Sequence, residues 1–253
     1  MFRDHRTAAF SEFESADLAA RAAADLFVRL AAEALRQRDV FCVALAGGAS
    51  FRACHRLLAE PLFASKVDWE KVEVFFGDER CVPAGRPGRN DAAAEAELLS
   101  RVPVPRGNVH RIDAAAPDAA ERYEAKIRKV VGRRREGGTA ERIPSFDLIF
   151  LGLGPDGHTA SLFPGHRSLE EEERLVLRVT GSPKPPPSRV TFTLPLINAA
   201  RCVVFLVTGT DKAEAYFAAR AGQRNVPAGH VRPLFGSLHF LADRAATAVW
   251  RSA

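Results

Sequence analysis

Four unbroken apolar runs constrain this chain more than any other feature: Val40 to Ala46, Val72 to Phe76, Leu148 to Leu153 and Cys202 to Thr208. A strand with one face in water alternates apolar and polar residues. A run without alternation suits a strand buried on both faces, as in a parallel sheet covered by helices. Helix-like stretches separate the runs, at about Ser50 to Glu60, Asp91 to Leu99, Asp118 to Val131 and Asp211 to Arg220. A longer amphipathic helix, about Ser15 to Arg38, precedes them, with Leu18, Ala22, Leu26, Leu30 and Ala34 recurring at helical spacing. Strand then helix, repeated, predicts an α/β fold with a doubly wound, mostly parallel sheet flanked by helices. No internal repeat or long linker divides the 253 residues, so residues 1–253 are expected to form a single domain.

Charge and cysteine usage narrow the function. The formal net charge is +5, but the basic residues are scattered among acids. The dense run Arg133-Arg134-Arg135 lies between glycines, without interleaved aromatics, and reads as a solvated loop over about Gly132 to Glu141. Nucleic acid is not an expected partner, and a modest basic excess suits a small anionic substrate. Cys42, Cys54, Cys81 and Cys202 have neither CxxC nor zinc-finger spacing, which predicts reduced, mostly buried thiols in a cytoplasmic protein. Acidic residues interrupt the N-terminal stretch, and no apolar run approaches the ~20 residues a membrane span needs. No membrane partner is expected. HExxH and His/Cys clusters with metal-ligand spacing are missing, so no metal or cofactor is expected. GxSxG is missing too, which argues against a covalent serine hydrolase.

Ligands of open α/β sheets bind beyond the carboxyl ends of the strands, and three strand ends here carry unusual residues. The first is Ala46-Gly47-Gly48-Ala49-Ser50. Its glycines and the following helix N-terminus suit an anion, with Ser50 as an added donor. A tight turn with Ser50 as an ordinary N-cap fits equally. The second is Gly77-Asp78-Glu79-Arg80. It could be a solvated loop with a local ion pair, or Arg80 could turn its planar fork toward phosphate or a sugar, oriented by Asp78 or Glu79. The third is Gly152-Leu153-Gly154-Pro155-Asp156-Gly157-His158-Thr159, a glycine-rich turn that presents Asp156, His158 and Thr159. Imidazole can act as a base near neutral pH. His158 stands apart from His55, His110, His166 and His239 because glycines and an acid set it at the predicted ligand edge.

These segments resemble the 6-phosphogluconolactonase family. The resemblance runs through Val43 to Ser50, Phe76 to Pro83 with Asn90 downstream, and FDLIFLGLGPDGHTASLFPG at Phe146 to Gly165. It continues through Ser182-Pro183-Lys184-Pro185-Pro186 with Arg189, Thr191 to Arg201 and Val207 to Ala213, and weakly near Leu238 to Ala245. It implies the fold shared with glucosamine-6-phosphate deaminases and metal-free hydrolysis of a sugar-phosphate lactone in the oxidative pentose phosphate pathway. Carried over by position, His158 matches the histidine that activates water, and Arg80 matches a substrate-contacting arginine. Lys212 follows the Val207-Thr208-Gly209 segment, where related enzymes place a phosphate-binding lysine; Arg189 is a second phosphate candidate. Lys184 either reaches substrate or packs its stem along the Pro-rich loop. The oligomeric state is left at monomer or small homo-oligomer. The loop departs from the family's GGST-Pro by reading GGAS followed by Phe51.

Two other readings remain. Amino-sugar-phosphate deaminases or isomerases resemble the chain around His158 but add a glutamate in a segment like AFNEP. Here that segment is Ala160-Ser161-Leu162-Phe163-Pro164, without an acid before the proline. A non-catalytic sugar-phosphate-binding protein could keep the phosphate loop, but would leave His158 without a task.

Overall fold

The computed structural model describes residues 8–132 and 143–248; the expected Gly/Arg loop beyond Gly132 falls outside them. Nine strands are present among these residues. They are β1 (Ala9–Phe13), β2 (Phe41–Leu45), β3 (Val72–Phe76), β4 (Asp78–Arg80), β5 (Leu148–Leu151), β6 (Val176–Val179), β7 (Arg189–Phe192), β8 (Cys202–Val207) and β9 (Ser237–Asp243). The α-helices are α1 (Ala16–Arg38), α2 (Ala49–Ala59), α3 (Pro61–Ala64), α4 (Asn90–Ala94), α5 (Ala119–Val130), α6 (Leu194–Asn198) and α7 (Ala213–Arg220). No helix among the described residues is long and apolar enough to cross a membrane.

The four apolar runs became β2, β3, β5 and β8, and every residue in these strands is buried. They belong to a six-stranded sheet of order β1-β9-β8-β5-β2-β3 in which every pair is parallel. β3 is buried although it ends the sheet, because the chain at Val109 bridges to Val74 beyond it. A smaller antiparallel sheet, β4-β7-β6, was not foreseen. The chain enters it straight from β3 through Gly77, whose carbonyl accepts from Phe192 N at 2.8 Å. The charged Gly77-to-Arg80 segment is therefore a strand rather than a solvated loop.

Ser15 caps α1 through its hydroxyl, 3.3 Å from Leu18 N, and Asp39 ends the helix in the left-handed region at φ 58°. The buried face of α1 takes in Leu26 and Ala34 of the predicted stripe, with Ala22 and Leu30 packed at its margin, but is centred on alanines. Ala19, Ala20, Ala23, Ala24, Phe27, Ala31 and Ala34 face the core, while Leu18 is 46% exposed. Alanines bring the helix backbone close to its neighbours, and Phe27 fills the remaining volume against Phe41, Trp69 and Phe150. Cys42, Cys54 and Cys202 are buried, and none of the four cysteines forms a disulfide.

His55, on α2, is buried with both ring nitrogens unpartnered among the described residues. Burial lowers its pKa from 6.5 to about 4. The unfolded chain takes up this proton below about pH 6.5, whereas the folded chain resists until about pH 4. Across that window the unfolded state binds more protons, so stability falls as pH falls. The loss at pH 4.5 should be about 2–3 kcal/mol at 1.36 kcal/mol per pH unit. Urea unfolding at pH 7 and 4.5 should show the acid penalty smaller by that amount in His55→Leu. An unchanged penalty would mean another group carries it.

Candidate active site

From β2 the chain moves outward to β3, then crosses back so that β5, β8 and β9 build the other side. β2 and β5 are thus neighbours from which the chain departs in opposite directions, and a crevice opens beyond their carboxyl ends. A cavity of about 180 Å³ lies there. Gly47, Gly48, Asp78, Arg80, His158, Lys184, Arg189 and Lys212 line it, with Asn90.

Glycine is required at 47 because a Cβ there would sit 1.9 Å from Asn90 Oδ1. Gly48 takes φ 98° and serves as the N-cap of α2 with no side-chain cap bond, so the first-turn N–H groups face outward for an anion. Ser50 is therefore inside the helix rather than its cap. Its hydroxyl lies 2.5 Å from Thr208 Oγ1 and is not part of the cavity lining.

After β5 the backbone closes a tight turn: Gly157 N donates to Gly154 O at 2.9 Å, and Gly154 N to His158 O at 2.8 Å. Gly157 has φ 78°, and a Cβ there would lie 2.5 Å from Val226 Cβ. Inside this turn His158 Nδ1 forms a short hydrogen bond with Asp156 Oδ1. A carboxylate there fixes the proton on Nδ1 and leaves the lone pair on Nε2. Burial lowers the His158 pKa below its ordinary value, with Asp156 opposing the shift. Burial in turn pushes Asp156 upward, yet the bond to His158 and the charge of Lys184 hold it below the usual carboxylate range. The Phe163 ring packs 5.0 Å from the imidazole, at the position before Pro164 where an acid would mark a deaminase.

Four cations surround this base. Arg80 and Arg189 are directly opposite in the β4–β7 register. Like charges so placed repel, and backbone carbonyls hold them in position. Arg80 Nη1 donates to Gly88 O; Arg189 Nη2 donates to the carbonyls of Lys184 at 3.1 Å and Pro185 at 3.2 Å. Burial lowers the Arg189 pKa, but a guanidinium keeps its proton. Arg80 Nε is buried without a partner among the described residues. Lys184 Nζ is 4.0 Å from Asp156, and Lys212 Nζ is 2.8 Å from Asp211.

The acids of the second strand end are held by protein donors, with Asp78 at the cavity wall and Glu79 behind it. Asp78 accepts from Asn90 Nδ2 at 2.9 Å and from Ser161 Oγ at 2.6 Å, tying three loops together. Glu79, with no exposed surface, accepts from the backbone N–H groups of Arg80, Asn90 and Asp91 at 2.8–2.9 Å. Sequence reasoning assigned Asn90 and Ser161 no role at the site. The signal available for Asn90 was an amide side chain opening a helix after a Pro- and Gly-rich loop. Among the described residues no group of three or more His, Cys, Asp or Glu is placed to hold a metal ion.

The family described as glucosamine-6-phosphate isomerases/6-phosphogluconolactonase matches residues 14–240. A protein of Oryza sativa subsp. japonica named probable 6-phosphogluconolactonase 1 is 38% identical over 242 residues, covering 92% of this chain and 81% of that one. The solved 6-phosphogluconolactonase of Trypanosoma brucei superposes with a TM-score of 0.81 at 26% identity, covering 96% of this chain and 99% of its own. A monomeric glucosamine-6-phosphate deaminase superposes at 0.78 with 17% identity, covering 95% and 99%, and so shares the fold.

Proposed function

The chain belongs to the glucosamine-6-phosphate isomerase/6-phosphogluconolactonase family, and from that premise we propose that it hydrolyses 6-phospho-D-glucono-1,5-lactone to 6-phosphogluconate, the lactone-opening step of the oxidative pentose phosphate pathway. The observation that carries this reading is His158, hydrogen-bonded to Asp156 and facing a small cavity ringed by four cations. In this reading the phosphate rests on Gly47, Gly48 and the first turn of α2, with Lys212 and Arg189 balancing its charge. Ser50 contributes its backbone N–H, since its hydroxyl is engaged with Thr208.

The phosphate anchor holds C1 of the lactone near His158. Nε2 takes a proton from water as the water oxygen bonds to C1, and the carbonyl electrons move onto its oxygen. Arg80 and nearby backbone N–H groups stabilise that oxyanion. When the carbonyl re-forms, the bond from C1 to the ring oxygen breaks. The imidazolium returns its proton to that oxygen, leaving the open acid and neutral His158. Phe163 in the place of an acid favours this chemistry over amino-sugar ring opening.

The test couples the protein to a dehydrogenase that generates the lactone from glucose 6-phosphate, and follows release of 6-phosphogluconate above the spontaneous rate. No acceleration by folded protein would remove the reading. The same assay gives a pH dependence. Because burial lowers the His158 pKa, the base stays neutral down to below pH 6.5. Accordingly kcat/KM should be level from pH 7.5 to 6.5 and fall about tenfold per unit only at lower pH. An acid limb with its midpoint above 6.5 would assign the base elsewhere.

A further inference from the structure

The cavity is rich in donors and poor in acceptors. Arg80, Arg189, Lys184 and Lys212 only donate. The side-chain acceptors in its lining belong to Asp78, His158 and Asn90. Each Asp78 oxygen already accepts a hydrogen bond, Oδ1 from Asn90 and Oδ2 from Ser161, and His158 Nε2 is the base. Asn90 Oδ1 remains.

Its orientation is fixed by chemistry. Asn90 Nδ2 donates to the carbonyl oxygen of Asp78 at 2.9 Å and to Asp78 Oδ1 at 2.9 Å. Two acceptors demand the two amide hydrogens, so a flipped amide would set oxygen against oxygen. The backbone N–H of Asn90 is held by Glu79 at 2.9 Å. Asn90 is only 5% exposed, yet Oδ1 has no partner among the described residues and is not sealed from solvent. It lies over Gly47, in space that any side chain at 47 would fill. A rigid buried amide thus offers one free oxygen to the cavity.

We infer that Asn90 is a specificity-determining residue, whose Oδ1 accepts a hydrogen bond from one ring hydroxyl of the lactone. The inference rests on the lactone reading above. Asp78 holds the amide in place and acts as a positioning residue for Asn90.

The experiment compares 6-phosphogluconolactone with the three lactones singly deoxygenated at C2, C3 or C4, on wild type and Asn90→Ala. Wild type should lose about tenfold or more in kcat/KM on one deoxy lactone, as expected when a buried acceptor is left unpaired. Asn90→Ala should lose a similar factor on the parent lactone, and should treat that parent and the same deoxy lactone alike. Discrimination at the other two positions should be unchanged. Hydrolysis by wild type with equal kcat/KM on all four substrates overturns the inference, whether or not the variant folds. So does a variant that is slower on every substrate while keeping the wild-type preferences, which would make Asn90 a latch alone. If wild type hydrolyses none of the four, the lactone reading and this inference fall together.

Discussion

Alanine in place of His158 should lower kcat/KM for the lactone by about 10²- to 10⁴-fold, the range a positioned base contributes, with KM little changed. The imidazole lines the crevice, and a carboxylate on Nδ1 leaves Nε2 to accept the proton. The groups proposed to hold phosphate, Lys212 and the first turn of α2, lie on other elements and do not depend on the ring. Binding should therefore persist while chemistry fails. The imidazole is part-exposed, with 18% of its side chain open to solvent, so its loss should leave the unfolding midpoint close to wild type. Steady-state assays of both proteins, corrected for spontaneous hydrolysis, decide the matter. A variant within a few-fold of wild type would remove His158 as the base.

The largest effect on stability is expected at Glu79. Its side chain has no exposed surface and receives three backbone N–H groups, with Arg89 Nη2 3.8 Å away. Those donors lie at the end of β4 and the start of α4, two of the three being 11 and 12 residues beyond Glu79. Glu79→Ala leaves all three without an acceptor and opens a void, at a cost of about 3–5 kcal/mol. Burial pushes this carboxyl up to about 7 against the N–H bonds that lower it. Neutral glutamine is therefore a close mimic, and Glu79→Gln should cost about 1–2 kcal/mol because one acceptor oxygen survives. Urea unfolding at pH 7 measures both. Equal losses, or an alanine loss below about 1 kcal/mol, would show that the N–H groups find other partners.

The Glu79 case also shows where the sequence was opaque. Val40 to Ala46, Val72 to Phe76, Leu148 to Leu153 and Cys202 to Thr208 were legible because burial on both faces leaves no alternation, and those strands fall within one or two residues of the predicted bounds. Ala9–Phe13 escaped because Ser11 and Glu12 interrupt it at a half-exposed edge. For Asp78 and Glu79 the local pattern allows a solvated loop with an ion pair to Arg80, because most of the groups that hold them are distant in sequence. Their donors, Asn90, Asp91 and Ser161, are brought in by the fold. The glycine turn at Gly154 to Gly157 was readable as a site because glycine, acid and histidine lie within five residues. The structure adds that Asp156 bonds the imidazole itself. Ser50 was weighed as donor or cap, and its bond to Thr208, 158 residues away, could not be seen from local pattern.

The order of the large sheet has a further consequence, for how the chain is made. β1 is the first strand in the sequence and β9 the last, yet they are neighbours, joined in register from Ala9 beside His239 to Phe13 beside Asp243. Thr247 Oγ1 donates to Glu12 at 2.8 Å, and Arg244 N to Phe13 O at 2.8 Å, so the same seam extends past the strands. On the ribosome β1 emerges without its sheet partner β9, and at ordinary synthesis rates it waits on the order of ten to fifty seconds for it. Once made, β8 also presents an open edge until β9 arrives, because β9 separates it from β1. The nascent chain thus carries two unpaired strand edges that β9 closes together. Cooperative closure on the arrival of β9 follows from the topology, and the interval before it is when this protein is most exposed to proteases, chaperones and its own copies.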